Sequence, residues 1–468
     1  MSRPSIVLVL LLGLTACGPD VRRGNDIVEG GPCEPGDVAD CYTGMDGTEG
    51  VGPCAAGRRT CQPGGTWGRC EGEVLPTGEV CGDGIDNNCN GTVDEDEDRD
   101  GDGFTTCGGD CCDSTECGSP ALVNPGSFDA PGNTLDDDCN GVVDDTVAIC
   151  DQGLASNSSN AMDYAKAIDL CQTATMADKK WGVISAQLTL ANGSGVPVAK
   201  QHAIRPRFGQ GVMPRGGTSM ALLSTGAAAG RGDTNPAYQD FEGAPENGTS
   251  SPFPQDFFAA NGGRLPNAPG CPEPDGNTAN DPVMLTLTVR VPTNAKSFKL
   301  ATNFFSSEFP EYTCSEFNDF FVVLLDSAYA GTPANPTDKN LAFYENNGSK
   351  YPVGVNLAHG NTGLFTQCVN GETGCLGNPG TIMTCTGTDQ LIGTGLDQSN
   401  PFACDSSALQ GGGTGWLETS GNVNPGEIIT LRIAIWDTSD GVLDSLAVID
   451  GFQWSVDASQ PGTVIYRR

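Results

Sequence analysis

Three aspartates at alternate positions, directly before a glycine, are the first candidates for chemistry in this sequence. They are Asp98, Asp100 and Asp102, with Gly103 next. The spacing matches the first half of an EF-hand-type loop, whose ligands occupy positions 1, 3 and 5 and whose sixth residue is glycine. Carboxylate oxygens are the ligands that Ca²⁺ prefers. The pattern therefore predicts a calcium site in this loop.

The second half of the loop departs from the EF-hand pattern. Phe104, at position 7, is expected to offer its backbone carbonyl. Position 12 falls on Gly109 where an EF-hand has a bidentate glutamate, so Asp110 or Asp113 must complete the ligand shell. No helical pattern flanks the loop. These departures favour an open acidic loop over a helix-loop-helix calcium sensor.

A motif that occurs twice supplies further oxygen donors. The segment Ile85-Asp-Asn-Asn-Cys-Asn-Gly-Thr-Val-Asp-Glu recurs as Leu135-Asp-Asp-Asp-Cys-Asn-Gly-Val-Val-Asp-Asp. Each copy places Asp and Asn oxygens on both sides of a Cys-Asn-Gly turn, where Gly permits positive φ and Cys can fix the loop. The candidate ligands are Asp86, Asn88, Asn90 and Asp94 in the first copy and Asp136, Asp138, Asn140 and Asp144 in the second.

Negative charge dominates the stretch around these motifs, residues 81–150. It holds 18 Asp or Glu residues against one basic residue, Arg99. Too few apolar groups are present to offset the repulsion between carboxylates, so compact folding requires cations among them. The alternative is a solvated acidic linker, but a motif repeated with Cys at the same offset favours metal binding. Hard oxygen donors on Gly-spaced loops favour Ca²⁺ over soft metals.

The order of these motifs is similar to that of a known family. The sequence runs from Cys81-Gly-Asp-Gly-Ile-Asp-Asn-Asn-Cys-Asn-Gly through Asp98-Arg-Asp-Gly-Asp-Gly-Phe to Gly109-Asp-Cys-Cys-Asp. Over residues 81–145 it resembles the MopE-related metal-binding motif of bacterial surface proteins. The name of that family alludes to copper. Because the stretch contains no His or Met to favour copper, Ca²⁺ remains the expected ion.

The cysteine count indicates an oxidising compartment. Of 21 cysteines, 20 remain when Cys17 is set aside, with 14 between Cys33 and Cys171 and six between Cys271 and Cys404. An even number in each part is typical of a disulfide framework, although the spacing does not determine which cysteines pair. The formal net charge of −35 argues against nucleic acid as a partner and against charge-driven binding to anionic lipid.

The amino terminus has the features of a bacterial lipoprotein signal over residues 1–16. Its apolar run, Ile6–Leu14, is too short to span a membrane but suits a signal-peptide core. The run ends in Leu14-Thr-Ala-Cys17, which resembles a lipobox with lipidation at Cys17. Acyl chains there would anchor the protein to a membrane, with residues 17–32 as a lipidated tether. Because Gly18 follows, the resemblance implies the outer membrane and cell surface of a Gram-negative bacterium. An ordinary signal peptide with an unrelated cysteine is the alternative.

Composition divides the remainder into regions. Residues 33–80 hold five cysteines, many Gly and Pro and few large apolar residues, which predicts a small module held by structural disulfides. Residues 81–150 are the acidic metal-binding repeat region. Residues 155–457 are long enough for one sizeable core, and residues 458–468 form a carboxy-terminal tail.

Alternating apolar residues predict a mainly β fold for residues 155–457. Strands are predicted at residues 283–291 and 429–436, and the unbroken apolar run 320–325 is typical of a strand buried on both faces. One short amphipathic helix is predicted at residues 161–171, behind a Ser/Asn cap. Strands separated by Gly- and Pro-rich loops indicate a jelly-roll-like β-sandwich. The disulfide-rich, calcium-binding region before it is expected to consist mostly of loops.

Further motifs resemble a second family, the choice-of-anchor L domain, over about residues 155–457. They are Phe305-Ser-Ser-Glu-Phe-Pro-Glu-Tyr312, Phe317-Asn-Asp-Phe-Phe-Val-Val-Leu-Leu325 and Asp444-Ser-Leu-Ala-Val-Ile-Asp-Gly-Phe452. The resemblance implies a bacterial surface domain attached by varied anchors, and it implies no activity. The simpler interpretation of the acidic residues in and near these motifs is that they cap turns and strand ends. The alternative is a second cation site formed by Glu308, Asp319, Asp437 and Asp444.

No enzyme motif is complete in the sequence. Gly217-Thr-Ser-Met-Ala221 matches the nucleophile segment of subtilisin-like proteases, but the expected following Pro is absent, and of the two histidines only His202 precedes Ser219. We therefore expect a non-enzymatic surface lipoprotein whose calcium-stiffened stalk presents a β-sandwich for adhesion or for contact with an unidentified surface or matrix ligand. The alternatives are a surface hydrolase with its site on the sandwich and a surface metal-scavenging protein.

Overall fold

The computed structural model describes residues 33–466, except residues 78, 95, 97, 114–118, 146–147, 244–245, 275, 361, 380, 401–403 and 405–407. The predicted signal peptide, the tether and Cys17 lie outside the described residues. The chain forms two compact units that divide after Asp96. This division falls inside the acidic region predicted at residues 81–150, so the two copies of the repeated motif belong to different units.

Disulfides organise the first unit, whose described residues form little regular structure. Its strands, β1 (Val38–Cys41) and β2 (Gly57–Thr60), pair as an antiparallel hairpin. Three disulfides join Cys33 to Cys61, Cys41 to Cys70 and Cys54 to Cys89. Because Cys89 belongs to the first copy of the repeated motif, the last of these links that motif to the module predicted at residues 33–80.

The second unit carries the strands and helices that form the main body of the described chain. In chain order its strands are β3 (Gly182–Thr189), β4 (His202–Arg205), β5 (Met220–Ser224), β6 (Ser250–Pro252), β7 (Thr278–Arg290), β8 (Ser297–Ser306), β9 (Phe320–Asp326), β10 (Phe343–Asn346), β11 (Ser349–Pro352), β12 (Gly371–Thr373), β13 (Thr381–Met383), β14 (Gly412–Gly413), β15 (Leu417–Asn422), β16 (Ile428–Asp437), β17 (Ser445–Ser455) and β18 (Gly462–Ile465). The α-helices are α1 (Ala161–Ala167) and α2 (Gln255–Ala260), and short 3₁₀ helices cover Thr106–Gly108, Pro120–Leu122, Ala199–Gln201 and Val355–Ala358. Of the helices in the described ranges, none has the length and apolar character needed to span a bilayer.

Two antiparallel sheets form the body of this unit. One has the order β3-β7-β16-β9, with β6 beside β7, and the other has the order β18-β15-β8-β17-β5-β4, with β14 beside β8. Two small hairpins, β10-β11 and β12-β13, lie outside these sheets. Strands that pair are often far apart in sequence: β7 pairs with β16, with Val289 opposite Ile429. The mainly β fold with sandwich-like sheets is therefore confirmed.

The main hydrophobic core contains side chains from both sheets. The alternating residues Val283, Leu285, Leu287 and Val289 of β7 are all completely buried in it, as their spacing predicts. The other sheet contributes buried residues that include Phe304 of β8. Burial of an aliphatic or aromatic side chain of this size contributes about 1.5–3 kcal/mol.

Strand β9 is buried on both of its faces, as predicted for the run 320–325. Phe321 and Val323 belong to the main core, whereas Phe320 and Val322 belong to a separate cluster on the opposite face of the sheet. That cluster includes Phe257 of α2. Helix α2 therefore covers the outer face of the sheet, which explains why the strand has no polar side.

The predicted helix at residues 161–171 is shorter in the structure. Helix α1 begins behind Asn160, whose side-chain oxygen accepts a hydrogen bond from the N–H of Met162 at 3.2 Å, and it ends at Ala167. Asp169 has a φ of 71°, which an α-helix does not permit. The last turn of the prediction is therefore wrong, because the chain leaves the helix in a left-handed conformation.

We predict that His202 makes the protein sensitive to mild acid. Tyr164 donates its hydroxyl hydrogen to the carbonyl of Ser158, and its oxygen lies 2.6 Å from Nδ1 of His202. Burial lowers the pKa of His202 from 6.5 to about 4, so the unfolded chain binds the proton first as the pH falls. The contribution of neutral His202 to the free energy of unfolding is complete above about pH 6.5. It is lost as the pH falls toward 4, which lowers the free energy of unfolding by up to about 3 kcal/mol.

Chemical unfolding between pH 7 and pH 4.5 checks this prediction. The free energy of unfolding of the wild type is expected to fall more steeply with decreasing pH than that of His202→Gln, whose amide can still donate to Tyr164 but does not titrate. All carboxylates are common to the two proteins, so the difference in slope isolates the histidine. Parallel pH profiles would contradict the prediction.

Candidate metal centre

Backbone amides shape the loop that the sequence predicts to bind calcium. The carboxylate of Asp98 accepts a hydrogen bond from the N–H of Gly103 at 2.9 Å. One oxygen of Asp100 accepts from the N–H of Asp102 at 3.1 Å, and one oxygen of Asp102 accepts from the N–H of Phe104 at 2.7 Å. Gly103 has a φ of 93°, which permits this tight curl of the chain. Each aspartate therefore uses an oxygen to fix the loop.

The five predicted carboxylates converge within this loop and the segment that follows it. One oxygen from each of Asp100, Asp102 and Asp110 lies within 4.8 Å of the other two. The same holds for Asp98, Asp100 and Asp113. Asp100 thus belongs to both groups, and the structure brings together all five side chains that the spacing proposed as ligands.

Three oxygens in this cluster have no hydrogen-bond partner among the described residues. They are the Oδ2 atoms of Asp100, Asp102 and Asp110, and each is shielded from solvent. A buried carboxylate oxygen without a donor is costly because it has lost its hydration and gained nothing in return. An arrangement of such oxygens is suited to a divalent cation with hard oxygen ligands.

The electrostatics of the cluster agree with its geometry. Burial raises the pKa of Asp110 to about 6, and the negative charges of Asp102, Asp100 and Asp113 add to this effect. Burial likewise raises the pKa of Asp102, with a further contribution from Asp100. Both effects oppose ionisation, and a cation bound among the carboxylates would favour their ionised forms.

The segment from Thr105 to Asp113 positions the closing ligands. The N–H of Asp110 donates to the carbonyl of Thr105 at 3.0 Å, across the 3₁₀ turn. The N–H of Arg99 donates to Oδ1 of Asp113 at 2.7 Å. Cys111, which lies between Asp110 and Asp113 in the sequence, forms a disulfide with Cys139. Backbone hydrogen bonds and a crosslink therefore hold Asp110 and Asp113 beside the aspartates of the loop.

Residues far away in sequence support the loop. The ring of Phe104 is 8 % exposed, and a Cβ added to Gly126 would lie 2.7 Å from it, so only glycine fits there. Lys179 donates to the carbonyl of Gly103 and lies 5.6 Å from the centre of the Phe104 ring. The sequence did not indicate Lys179, because it lies in a segment with no motif. A carbonyl ligand from Phe104 stays a prediction.

Asn124 connects the loop to the β-sandwich. Its side chain lies against the carboxylate of Asp102, and its Oδ1 accepts a hydrogen bond from the hydroxyl of Thr293 at 2.7 Å. Thr293 lies in the turn between β7 and β8, and its N–H donates to the carbonyl of Gly126 at 3.0 Å. The acidic loop is therefore part of the same packed unit as the sandwich.

The two copies of the repeated motif adopt the same turn. In the first, Asp86 accepts hydrogen bonds from the N–H groups of Asn90 and Gly91, at 3.0 and 2.9 Å. In the second, Asp136 accepts from the equivalent Asn140 and Gly141, at 3.0 and 2.8 Å. The cysteines within the turns, Cys89 and Cys139, have φ values of 59° and 57°. The repeat in sequence is a repeat in structure.

The remaining candidate ligands of the repeats also contact the backbone. Asp94 accepts from the N–H of Gly82 at 2.8 Å, and Asp144 accepts from the N–H of Gly132 at 2.7 Å. The side-chain oxygens of Asn88, Asp138, Asn90 and Asn140 accept from the N–H groups two residues further on, at 3.0, 3.1, 2.9 and 2.8 Å. The convergent carboxylate groups of the described residues do not include Asp94, Asp138 or Asp144. Their role as ligands stays a prediction.

The four acidic residues proposed as a second cation site lie in the sandwich. Glu308, Asp319, Asp437 and Asp444 are 3 %, 1 %, 1 % and 9 % exposed. They follow β8, precede β9, end β16 and precede β17, respectively. Asp444 packs against Gly226, where an added Cβ would clash with its carboxylate, and it experiences the positive charge of Lys200. The charge of Asp319 acts on both Glu308 and Asp437, and the charge of Asp444 also acts on Asp437. The convergent ligand groups of the described residues do not include these four side chains, so their role as a cation site stays a prediction.

Two other features of the sequence are engaged in structural contacts. The hydroxyl of Ser219 donates to Asp151 at 2.9 Å, and the same carboxylate accepts from the hydroxyl of Thr218 at 3.0 Å. Cys271, Cys314 and His359 lie together, but the two cysteines form a disulfide. Thiolate is the form in which cysteine binds metals, so this last group is not a metal site.

Two family models match parts of the chain. Residues 272–452 match the family described as "Choice-of-anchor L domain". Residues 77–95 and 119–145 match a MopE-type family described as "Putative metal-binding motif". The second match covers both copies of the repeat, and the converging aspartates of the loop lie between its two segments. No curated protein and no solved structure matches the chain.

We predict that neutralising one carboxylate of the loop stabilises the cation-free protein. Asp102→Asn removes a charge that repels Asp100 and Asp110. Its free energy of unfolding, measured in a chelator at pH 7, is therefore expected to be about 1 kcal/mol higher than that of the wild type. The same change at the exposed Asp389 is the control and is expected to have no effect. A destabilised Asp102→Asn protein in chelator would show that the carboxylates do not repel one another.

Proposed function

The chain carries a choice-of-anchor L domain behind a MopE-type metal-binding motif, and from this premise we propose that it is a calcium-dependent, lipid-anchored protein of the bacterial cell surface. Its disulfide-rich amino-terminal part would serve as a stalk that Ca²⁺ stiffens. The β-sandwich would be presented for adhesion or for contact with a surface or matrix ligand. In this proposal the protein is not an enzyme.

One observation carries the calcium part of the proposal: the shielded Oδ2 atoms of Asp100, Asp102 and Asp110 converge without hydrogen-bond donors among the described residues. All candidate ligands in this loop offer oxygen. Soft metals such as copper favour thiolate, thioether or imidazole ligands, whereas Ca²⁺ takes six to eight oxygens. The described cysteines near the loop, such as Cys111, are in disulfides. Ca²⁺ is therefore the ion that suits the ligands.

The surface location is supported by chemistry of a different kind. Disulfides persist in oxidising compartments outside the cytoplasm, and disulfides join described cysteines along the chain from Cys33 to Cys404. The lipobox-like sequence ending at Cys17 would supply the anchor. Acyl chains on one cysteine provide the two hydrophobic signals that stable membrane attachment requires.

We predict calcium binding at the acidic loop with a dissociation constant of about 10⁻⁴–10⁻³ M, as in extracellular calcium modules. The oxidised full chain, with Cys17→Ser to prevent lipidation, is titrated calorimetrically with Ca²⁺ while hydrogen exchange of residues 98–113 is followed. Protection is expected to increase in this segment. The variant Asp100→Asn/Asp102→Asn should lose the change, and Asp389→Asn should retain it. No change in protection on adding millimolar Ca²⁺ would contradict the proposal.

Proton competition gives this binding a defined pH dependence. Because the pKa of Asp110 is raised to about 6, a proton must leave before a cation binds below that pH. The apparent affinity for Ca²⁺ is expected to be constant above about pH 7 and to fall as the pH drops through 6. Tight copper or zinc binding that survives excess Ca²⁺ would favour metal scavenging instead.

We also predict that adhesion through the sandwich depends on calcium. Cells that display the full chain are expected to bind matrix proteins or glycans more strongly in Ca²⁺ than in chelator. Cells that display Asp100→Asn/Asp102→Asn should show no such difference. Equal binding in Ca²⁺ and chelator would contradict the adhesive part, and turnover of a glycan or peptide that is lost on Asp444→Asn or Ser219→Ala would favour a hydrolase.

A further inference from the structure

A pocket of about 330 Å³ borders the ends of β15 and β18, two neighbouring strands at the edge of the larger sheet. Trp416 directly precedes β15, and Tyr466 directly follows β18. These strands pair with Leu417 opposite Ile465, and the N–H of Tyr466 donates to the carbonyl of Trp416 at 3.0 Å. The pairing therefore places two aromatic residues side by side in the pocket lining. The volume is within the range of small-molecule sites in proteins.

Arg215 is the charged residue of this pocket, and both aromatic rings contact it. Its Cζ lies 4.9 Å from the centre of the Trp416 ring and 5.2 Å from the centre of the Tyr466 ring. A guanidinium stacks on a ring through its face, whereas its N–H donors lie in its plane. The two rings therefore restrict the orientation of the guanidinium, which reduces the entropy that a ligand must overcome on binding.

A buried carboxylate positions the backbone that carries Arg215. Asp450 of β17 is completely buried, and its Oδ2 accepts hydrogen bonds from the N–H groups of Arg215 and Gly216, the second at 3.3 Å. Gly216 has no room for a side chain, because an added Cβ would collide with the carboxylate of Asp169. The segment that presents Arg215 to the pocket is thus fixed to the sheet.

Uncharged polar side chains supply much of the remaining lining. They include Thr366, Gln367 and Gln390. The amide oxygen of Gln390 accepts a hydrogen bond from Nδ2 of Asn303 at 2.7 Å, and its amide nitrogen makes no hydrogen bond with the described residues. The hydroxyl of Tyr466 likewise has no hydrogen-bond partner among them. Two neutral donors therefore accompany the guanidinium in the lining.

The charge of the pocket differs from that of the whole chain. Its described lining residues include a basic side chain and no acidic one, although the chain has 59 Asp and Glu against 24 Lys and Arg. Such a pocket favours an anionic group. The guanidinium fork pairs with both carboxylates and phosphates, but a phosphate carries up to two negative charges. One guanidinium matches the single charge of a carboxylate.

We propose that this pocket binds a carboxylate-bearing saccharide, of the kind that contains a uronic or sialic acid, with Arg215 on the carboxylate. The inference rests on the proposed function in adhesion, and it names the class of ligand that the sandwich contacts. The amide of Gln390 and the hydroxyl of Tyr466 donate to sugar oxygens. The aromatic side chains offer apolar surface for the C–H groups of the sugar ring.

The test measures binding of the oxidised full chain with Cys17→Ser to an array of oligosaccharides that contain uronic or sialic acids. The matched controls are the same oligosaccharides with methyl-esterified carboxylates, and peptides that end in a free carboxylate. Chelator is present throughout, so that Ca²⁺ cannot bridge the sugar to the protein. The wild type is expected to bind at least one acidic saccharide about tenfold or more tightly than its ester.

Substitutions assign the preference to the pocket. Arg215→Gln is expected to bind acid and ester equally, and Arg215→Lys to recover only part of the preference, because an ammonium lacks the planar fork. Arg207→Gln removes an exposed arginine outside the pocket lining and should bind as the wild type does. Tyr466→Leu should weaken binding of acid and ester alike. Unfolding in denaturant checks the fold of each variant, and the comparison of acid with ester requires no substitution.

Four results would overturn the proposal: no binding of any acidic saccharide, equal binding of acid and ester by the wild type, an undiminished preference in folded Arg215→Gln, and binding of the peptide carboxylates alone. The proposed function fails by a different measurement, on cells that display the full chain. Calcium-dependent adhesion that Arg215→Gln leaves unchanged would reject the pocket and keep the proposed function. Acid-specific binding by the purified chain, with equal adhesion of cells in Ca²⁺ and chelator, would do the reverse.

Discussion

Repulsion between carboxylates in confined space is the constraint on which this structure depends. In the loop, Asp98, Asp100 and Asp102 each use an oxygen to accept a backbone hydrogen bond. This fixes the loop but leaves other carboxylate oxygens directed at one another. Proximity of like charges raises the free energy of the ionised state, and a cation bound among the carboxylates would lower it. Backbone hydrogen bonds thus give the loop its shape, and the carboxylate oxygens that accept no hydrogen bond are available to bind a cation.

Disulfides and packing hold the acidic segments in place against this repulsion. Closing a loop of 28 residues, as Cys111–Cys139 does, stabilises a fold by about 3–4 kcal/mol in the chain-entropy model. The equivalent Cys89 in the first copy of the repeat pairs with Cys54. In the second unit, Asn124 and Phe104 further attach the loop to the sandwich. The acidic loop has too few apolar residues to form a core of its own, so it is held in place by packing against the sandwich.

The sandwich also contains carboxylates without compensating charge, here buried at the ends of apolar strands. Its strands are apolar on the faces that pack, and β9 is apolar on both. The acidic residues Glu308, Asp319 and Asp437 are confined to the strand ends, where the hydrogen-bonding ladders stop and side chains from different strands meet. Such positions tolerate polar groups because the backbone there is irregular. Their burial still demands neutralisation, by a proton or by a metal ion.

The sequence by itself determined the local features of this protein. Alternation of apolar residues in β7 and the unbroken run in β9 predicted strands and their buried faces, because side chains in a strand alternate between its two sides. The aspartates before Gly103 predicted the curled loop, because Asx turns and a positive φ are local properties. Tertiary structure alone decided which cysteines pair, and that Lys179 supports the loop. It also placed Asp437 beside Asp319, since this contact depends on sheet order and register. The end of helix α1 at Ala167 was likewise decided by the left-handed conformation of Asp169, which the spacing of apolar residues does not predict.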